Sequence, residues 1–195
     1  MRSAIKAGIA VAIAATLGLM AGVGTASAST TAIQPRITAE AHAAGISVAK
    51  ADKLQQEVTS FIRAHGGTQT ALNVVDFSGG RITFVVPGEK YARDLATTDR
   101  PLAAATACSY KAFCAYSAID YGGDEVSAFD NCEYLTLPDF IGEGSYISEL
   151  PIYTSATWYG ESYNVLYVTP DTTSSDPEFG NPEVNWTPVW YIKAC

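Results

Sequence analysis

Histidine is almost missing from this chain. There are two, His42 and His65, among 195 residues. The second half therefore has no imidazole to hold zinc or to shuttle a proton near neutral pH. No HExxH, GxSxG or Gly-rich phosphate loop occurs, so the usual patterns for metal-assisted, acyl-transfer and phosphoryl chemistry are lacking. Basic residues are scarce as well. From Pro101 to Cys195 only Lys111 and Lys193 face thirteen acidic side chains. Such a surface repels nucleic-acid backbones and anionic lipid. Beyond residue 23 no apolar run is long enough to cross a bilayer. These absences predict a protein that is no enzyme, has no cofactor and has no nucleic-acid partner.

What is there begins with an export signal. Arg2 and Lys6 precede an apolar run from Ala7 to Val23, and Ala26-Ser27-Ala28 offers the small side chains of a cleavage site. Residues 1–28 are predicted to be a signal peptide. The mature chain is then secreted, extracellular and free of the membrane. The remainder divides by composition. Ser29 to Arg100 has eight basic and seven acidic residues with no cysteine, whereas seventeen of the aromatics lie beyond it. The expected organisation is a flexible segment over 29–45, a small α+β segment over 46–95, a linker over 96–106 and an all-β domain over 107–195.

In the α+β segment, Val48, Ala51, Leu54, Val58, Phe61, Ile62 and His65 recur at helical spacing. Ser47 is placed to cap the helix and Gly66-Gly67 to stop it. Ala71–Phe77 and Arg81–Val86 then read as two strands joined through Ser78-Gly79-Gly80, giving a helix plus hairpin. His65 at the helix end suits a dipole partner better than a catalytic group.

Cys108, Cys114, Cys132 and Cys195 all fall in the acidic half. An even set in an exported chain reads as two disulfides. Without a CxxC or a nearby histidine, no metal site is expected. Three connectivities are open, of which Cys114–Cys132 with Cys108–Cys195 clamping the ends is the one favoured.

The same half contains a spaced repeat. Tyr116-x4-Tyr121-x-Gly123 recurs as Tyr153-x4-Trp158-x-Gly160, 37 residues later. An aromatic on a strand, a second across a folded hairpin and a glycine with positive φ make an aromatic corner. Strands are expected at 111–116, 125–129, 150–153, 163–168 and 188–192, which describes a β-sandwich. Trp158, Trp186 and Trp190 are expected in its core. Asp120, Asp124 and Glu125 crowd one loop, where solvation explains them better than acid–base work does.

The stretches Cys108-Ser-Tyr-Lys-Ala-Phe-Cys114-Ala-Tyr116, Asp120-Tyr121-Gly122-Gly123 and Phe129-Asp-Asn-Cys132 resemble the opening of a family of bacterial secreted proteins. That family is grouped with the Streptomyces metalloproteinase inhibitor as peptidase inhibitors of crystallin-like fold. The resemblance covers about residues 107–195. It implies a βγ-crystallin-like sandwich of two Greek-key motifs, and a secreted protease as partner. Residues 144–149 and 183–188, where such folds often hold calcium, lack paired acidic or amide ligands, so calcium is not expected. No residue matches an inhibitory reactive bond.

Two functions follow as expectations. The chain is either a secreted peptidase inhibitor or an extracellular structural or binding module without inhibitory activity. For the first, Asp171–Pro182 is the longest loop, with Phe179 as a candidate anchor.

Overall fold

A computed structural model describes residues 28–96, 108–172 and 179–195. Residues 1–27 of the expected signal peptide, residues 97–106 of the expected linker and residues 173–178 of the expected long loop lie outside the described residues.

The first elements are two helices, α1 (Ala28–Ala43) and α2 (Val48–His65). Where the sequence predicts a flexible segment over 29–45, the backbone is mostly helical. Ile37 and Ala41 of α1 are buried against the core. The limits of α2 are those its flanking residues dictate. The Lys50 N–H donates to Ser47 Oγ at 3.4 Å, and the Gly66 N–H, at φ +75°, returns to the Ile62 carbonyl. Leu54, Val58 and Phe61 form the buried stripe that spacing of three and four residues produces.

Three short strands follow: β1 (Thr68–Ala71), β2 (Val74–Phe77) and β3 (Gly80–Thr83). The turn at Ser78-Gly79 is where composition places it. The expected first strand breaks at Leu72-Asn73, whose Asn73 side chain is buried. Its Nδ2 donates to the carbonyls of Phe84 and Arg93 at 2.7 and 2.8 Å, and its Oδ1 accepts from the Leu95 N–H. One asparagine thus ties down the chain leaving β3.

Eight more strands complete the fold: β4 (Ala112–Tyr116), β5 (Glu125–Phe129), β6 (Tyr134–Thr136), β7 (Glu143–Ser148), β8 (Ala156–Tyr159), β9 (Val165–Val168), β10 (Phe179–Asn185) and β11 (Tyr191–Ala194). They form two antiparallel sheets. One has seven strands in the order β1-β2-β3-β5-β4-β7-β10, the other four in the order β6-β11-β8-β9. The β3–β5 ladder, from Gly80↔Ala128 to Thr83↔Glu125, makes the helix-plus-hairpin segment continuous with the larger sheet. A Cβ at Gly80 would lie 2.2 Å from the Ser127 carbonyl oxygen, so only glycine permits that junction.

Several expected strands move. Leu150–Tyr153 is not a strand: Pro151 accepts from the Thr154 N–H at 3.1 Å and the chain turns. The last strand starts at Tyr191, because the Val189 N–H donates locally to the Trp186 carbonyl at 2.8 Å and the chain turns there first. Gly144–Ser148 belongs to β7 and Glu183–Asn185 to β10, so neither stretch is a loop.

One continuous core runs from α2 to the far sheet. Leu54, Val58, Leu72, Val75 and Ile82 meet Leu135 and Val126, and these meet Phe113, Trp158, Trp186 and Ile192. Every residue of β4 is fully buried because it is central, with sheet neighbours on both edges and packing on both faces. Trp186 has no exposed surface, and its indole N–H donates to the Tyr116 carbonyl at 2.8 Å.

The two disulfides join Cys108 to Cys114 and Cys132 to Cys195. This corrects the favoured pairing of Cys114 with Cys132. A tight turn at Lys111, with φ +68°, folds Cys108 back on Cys114. The β6–β11 ladder and the Cys132 N–H bond to the Ala194 carbonyl bring Cys132 to the C-terminus.

Two outcomes are expected in denaturant unfolding. Opening the long Cys132–Cys195 loop, of sequence separation 63, by C132A/C195A should cost about 4 kcal/mol, against about 2 kcal/mol for C108A/C114A. Gly144→Ala should cost about 3 kcal/mol, because its Cβ would lie 2.2 Å from Trp186 Nε1.

Candidate functional site

The sheets close over an aromatic stack. Trp158 lies 4.8 Å, ring centroid to centroid, from both Trp186 and Tyr167, and 5.3 Å from Tyr146. At the open side of the sandwich this stack forms the wall of a groove of about 340 Å³ between β9 and β10. Leu166 and Tyr167 line one side, Asn181 and Val184 the other, with Pro188 and Val189 at the end.

Adjacent residues of a strand ordinarily face opposite ways. Here Leu166 and Tyr167 both line the groove. The reason is a register shift: Trp158 pairs with Tyr167 while Tyr159 pairs with Val165, so Leu166 is an extra residue in β9. A bulge of this kind re-aims side chains. All four β9 residues are apolar or aromatic, and they are 58, 40, 42 and 49% exposed from Val165 to Val168. Burial, then the nearby Tyr167 phenol, pushes the Tyr146 hydroxyl up, so it stays a neutral donor. Trp158 is 6% exposed, and its buried indole N–H has no acceptor among the described residues.

Among the described residues no charged one lines the groove. Glu161 and Asp171 lie beyond either end of β9, and Glu183 is on β10; all three are exposed. The arrangement offers shape, apolar contact and an uncovered strand edge with an acid beyond each end. No nucleophile or general base among the described residues lines it.

A second cluster sits on the four-stranded sheet. Tyr163 stacks on Tyr191 at 4.3 Å and 6°, and Tyr134 stands edge-on to Tyr163 at 5.3 Å and to Tyr159 at 5.1 Å. Lys193 lies 5.3 Å over the Tyr134 ring. The Tyr134 hydroxyl donates to Tyr159 and the Tyr191 hydroxyl to Tyr163, which raises both above the usual phenol range.

A third feature is a groove of about 460 Å³ at the junction of α2 with the larger sheet, lined by Glu57, Phe61, His65, Phe84, Asp124 and Asp139 among others. His65 Nε2 lies 3.5 Å from Asp139 Oδ2. The crowded carboxylates part company: Asp120 pairs with Lys90 at 3.6 Å, while Asp124 Oδ1 turns inward to accept the Val85 N–H at 2.8 Å.

The first of the two spaced matches brings its rings into contact. Tyr116 and Tyr121 meet edge to face at 5.8 Å and 75°, and Gly123 has φ +78°. The second match does not make the same corner. Tyr153 lies in the Pro151 turn, 81% exposed, Trp158 is in the inter-sheet stack, and Gly160 is outside the left-handed region. The spacing matched, but Pro151 ends any strand before Tyr153 can present its ring. The hairpin that does follow, β8–β9, carries Tyr163 at φ +59° in its turn. Trp190 is 45% exposed rather than core. Phe179, read as a loop anchor, begins edge strand β10 instead.

The groove was missed because Val165-Leu166-Tyr167-Val168 reads as an ordinary buried strand. The available signal was an unbroken apolar run with an acid on either side in an acidic domain.

No family model, curated protein or solved structure matches this chain. Among the described residues no helix is long and apolar enough to cross a membrane, and no cysteine is free.

Burial raises the Asp124 carboxyl, with Glu57 adding and the Val85 N–H opposing. The folded chain therefore keeps this proton where the unfolded chain has lost it. Stability should fall as pH rises from the ordinary carboxylate range through the raised folded value. Asp124→Asn keeps an acceptor for Val85 and removes the charge. Urea unfolding across pH should find it equal to the parent at the acid end and more stable above that window.

Proposed function

We propose that the chain is a secreted, non-catalytic binding protein of βγ-crystallin-like, Greek-key build, and that a peptidase is its partner. The observation that carries the binding reading is the exposed apolar strand β9 beside a formed groove. Monomeric surfaces seldom leave such a strand bare unless something binds it. The scaffold under it is rigid, since β9 pairs with β8, β8 with β11, and β11 ends in the Cys132–Cys195 bridge. Preorganisation of that kind lowers the cost of binding. The partner class comes from the resemblance over Cys108–Cys132, and the Tyr116–Tyr121 corner supports the crystallin-like build. Two disulfides and the signal-like first residues support export.

A second reading, an extracellular structural or binding module without inhibitory activity, draws on the exposed Tyr134 and Tyr163 stacked about half-buried Tyr191. Aromatic rings with hydroxyls suit carbohydrate or protein surfaces.

The test is titration of oxidised residues 29–195 into a thermolysin-like metalloprotease and a subtilisin-like protease. Stoichiometric, submicromolar loss of activity that reduction abolishes is the expected result. No inhibition of either enzyme at tens of micromolar leaves the module reading in its place.

A further inference from the structure

Sheet edges invite further pairing, and folded chains usually blunt them. This fold has four. At β1, α1 supplies the cover: Glu40 Oε2 accepts the Leu72 N–H at 2.6 Å, and the Arg36 guanidinium donates to the Thr70 carbonyl. At β10, Pro182 and a register shift between Asn181 and Val184 interrupt the edge. Strand β6 spans only Tyr134–Thr136. Strand β9 has a bulge, but neither a proline, nor a charge, nor any cover among the described residues.

We infer that the β9–β10 groove binds an extended polypeptide segment whose apolar core is flanked by lysine or arginine, laid along β9 as an added strand. Main-chain bonds to an open edge supply affinity in this mode, and pockets for side chains supply selectivity. The apolar core fits the Leu166, Tyr167 and Val184 walls. The flanking cations fit Glu161 and Asp171, which lie beyond the two ends of β9 and have no basic residue within ion-pair distance among the described residues.

The same charges decide against a second copy of this chain. An antiparallel β9–β9 pair about its centre would set the Glu161 end of one copy against the Asp171 end of the other. Like charges facing across a strand pair are destabilising.

The inference rests on the binding-protein part of the reading above and not on a peptidase being the partner. Its test uses a fluorescent peptide with a Val-Phe-Val core flanked by lysines, and a twin flanked by glutamates. Anisotropy should show the lysine form binding about tenfold more tightly, with the difference shrinking as salt screens the acids beyond the ends of β9. Hydrogen exchange should show new protection at the Val165–Val168 amides. Leu166→Asp should weaken binding about tenfold or more, and Val48→Asp on α2 should not. Equal affinity for the two peptides, or protection elsewhere, would overturn the inference. So would self-association that protects the same amides without peptide. Peptide binding without protease inhibition would sink the peptidase reading alone. Inhibition without peptide binding would sink this inference alone.

Discussion

Trp186 sits at the middle of this fold with no exposed surface, and its indole N–H reaches across to the Tyr116 carbonyl. That bond joins residues 70 apart in the chain. It satisfies a donor that burial would otherwise strand at a cost of about 1–3 kcal/mol. It also fixes the identity of a neighbour, because the ring occupies the space of a missing side chain at Gly144. Trp158, Tyr146 and Phe113 then pack around the same ring system, and the spacing of the two sheets follows from their bulk. The groove is what remains where the stack reaches the open side and no further strand covers it.

The sequence was most legible where a property is local. Ser47 and Gly66 mark α2 because caps act within a turn. Short runs rich in β-branched and aromatic residues between turn residues show β4 and β5, and Ser78-Gly79 shows the hairpin between β2 and β3. Reading failed where the deciding partner is distant. Gly144-Ser145-Tyr146 has the composition of a loop and becomes a strand because β4 and β10 flank it. Asn181-Pro182 reads as a connector, and an edge strand tolerates the proline because one side of its ladder is empty. The cysteine pairing depends on the left-handed turn at Lys111 and on where β11 docks. Neither is visible in spacing.

The groove shows the same division. Its chemistry was present in the sequence as an apolar run between acids. Its exposure was not, because exposure depends on β9 being the last strand of its sheet. The bulge at Leu166 is equally hidden, although it puts two consecutive side chains on one face. Conversely, the Tyr153–Trp158 match looked like a site and was not one. A three-position pattern takes no account of a proline two residues before its first aromatic.

Strand β11 lies between β6 and β8, and the Cys132–Cys195 bond, of sequence separation 63, fastens the β6 side of that sheet to it. The smaller sheet is thus closed by contacts far apart in the chain. Such pairing comes late in folding, because loop entropy is lost before the contact rewards it. The β8–β9 hairpin is local by comparison, so its aromatic residues are gathered before β11 covers them. That interval is when the folding chain is most open to association.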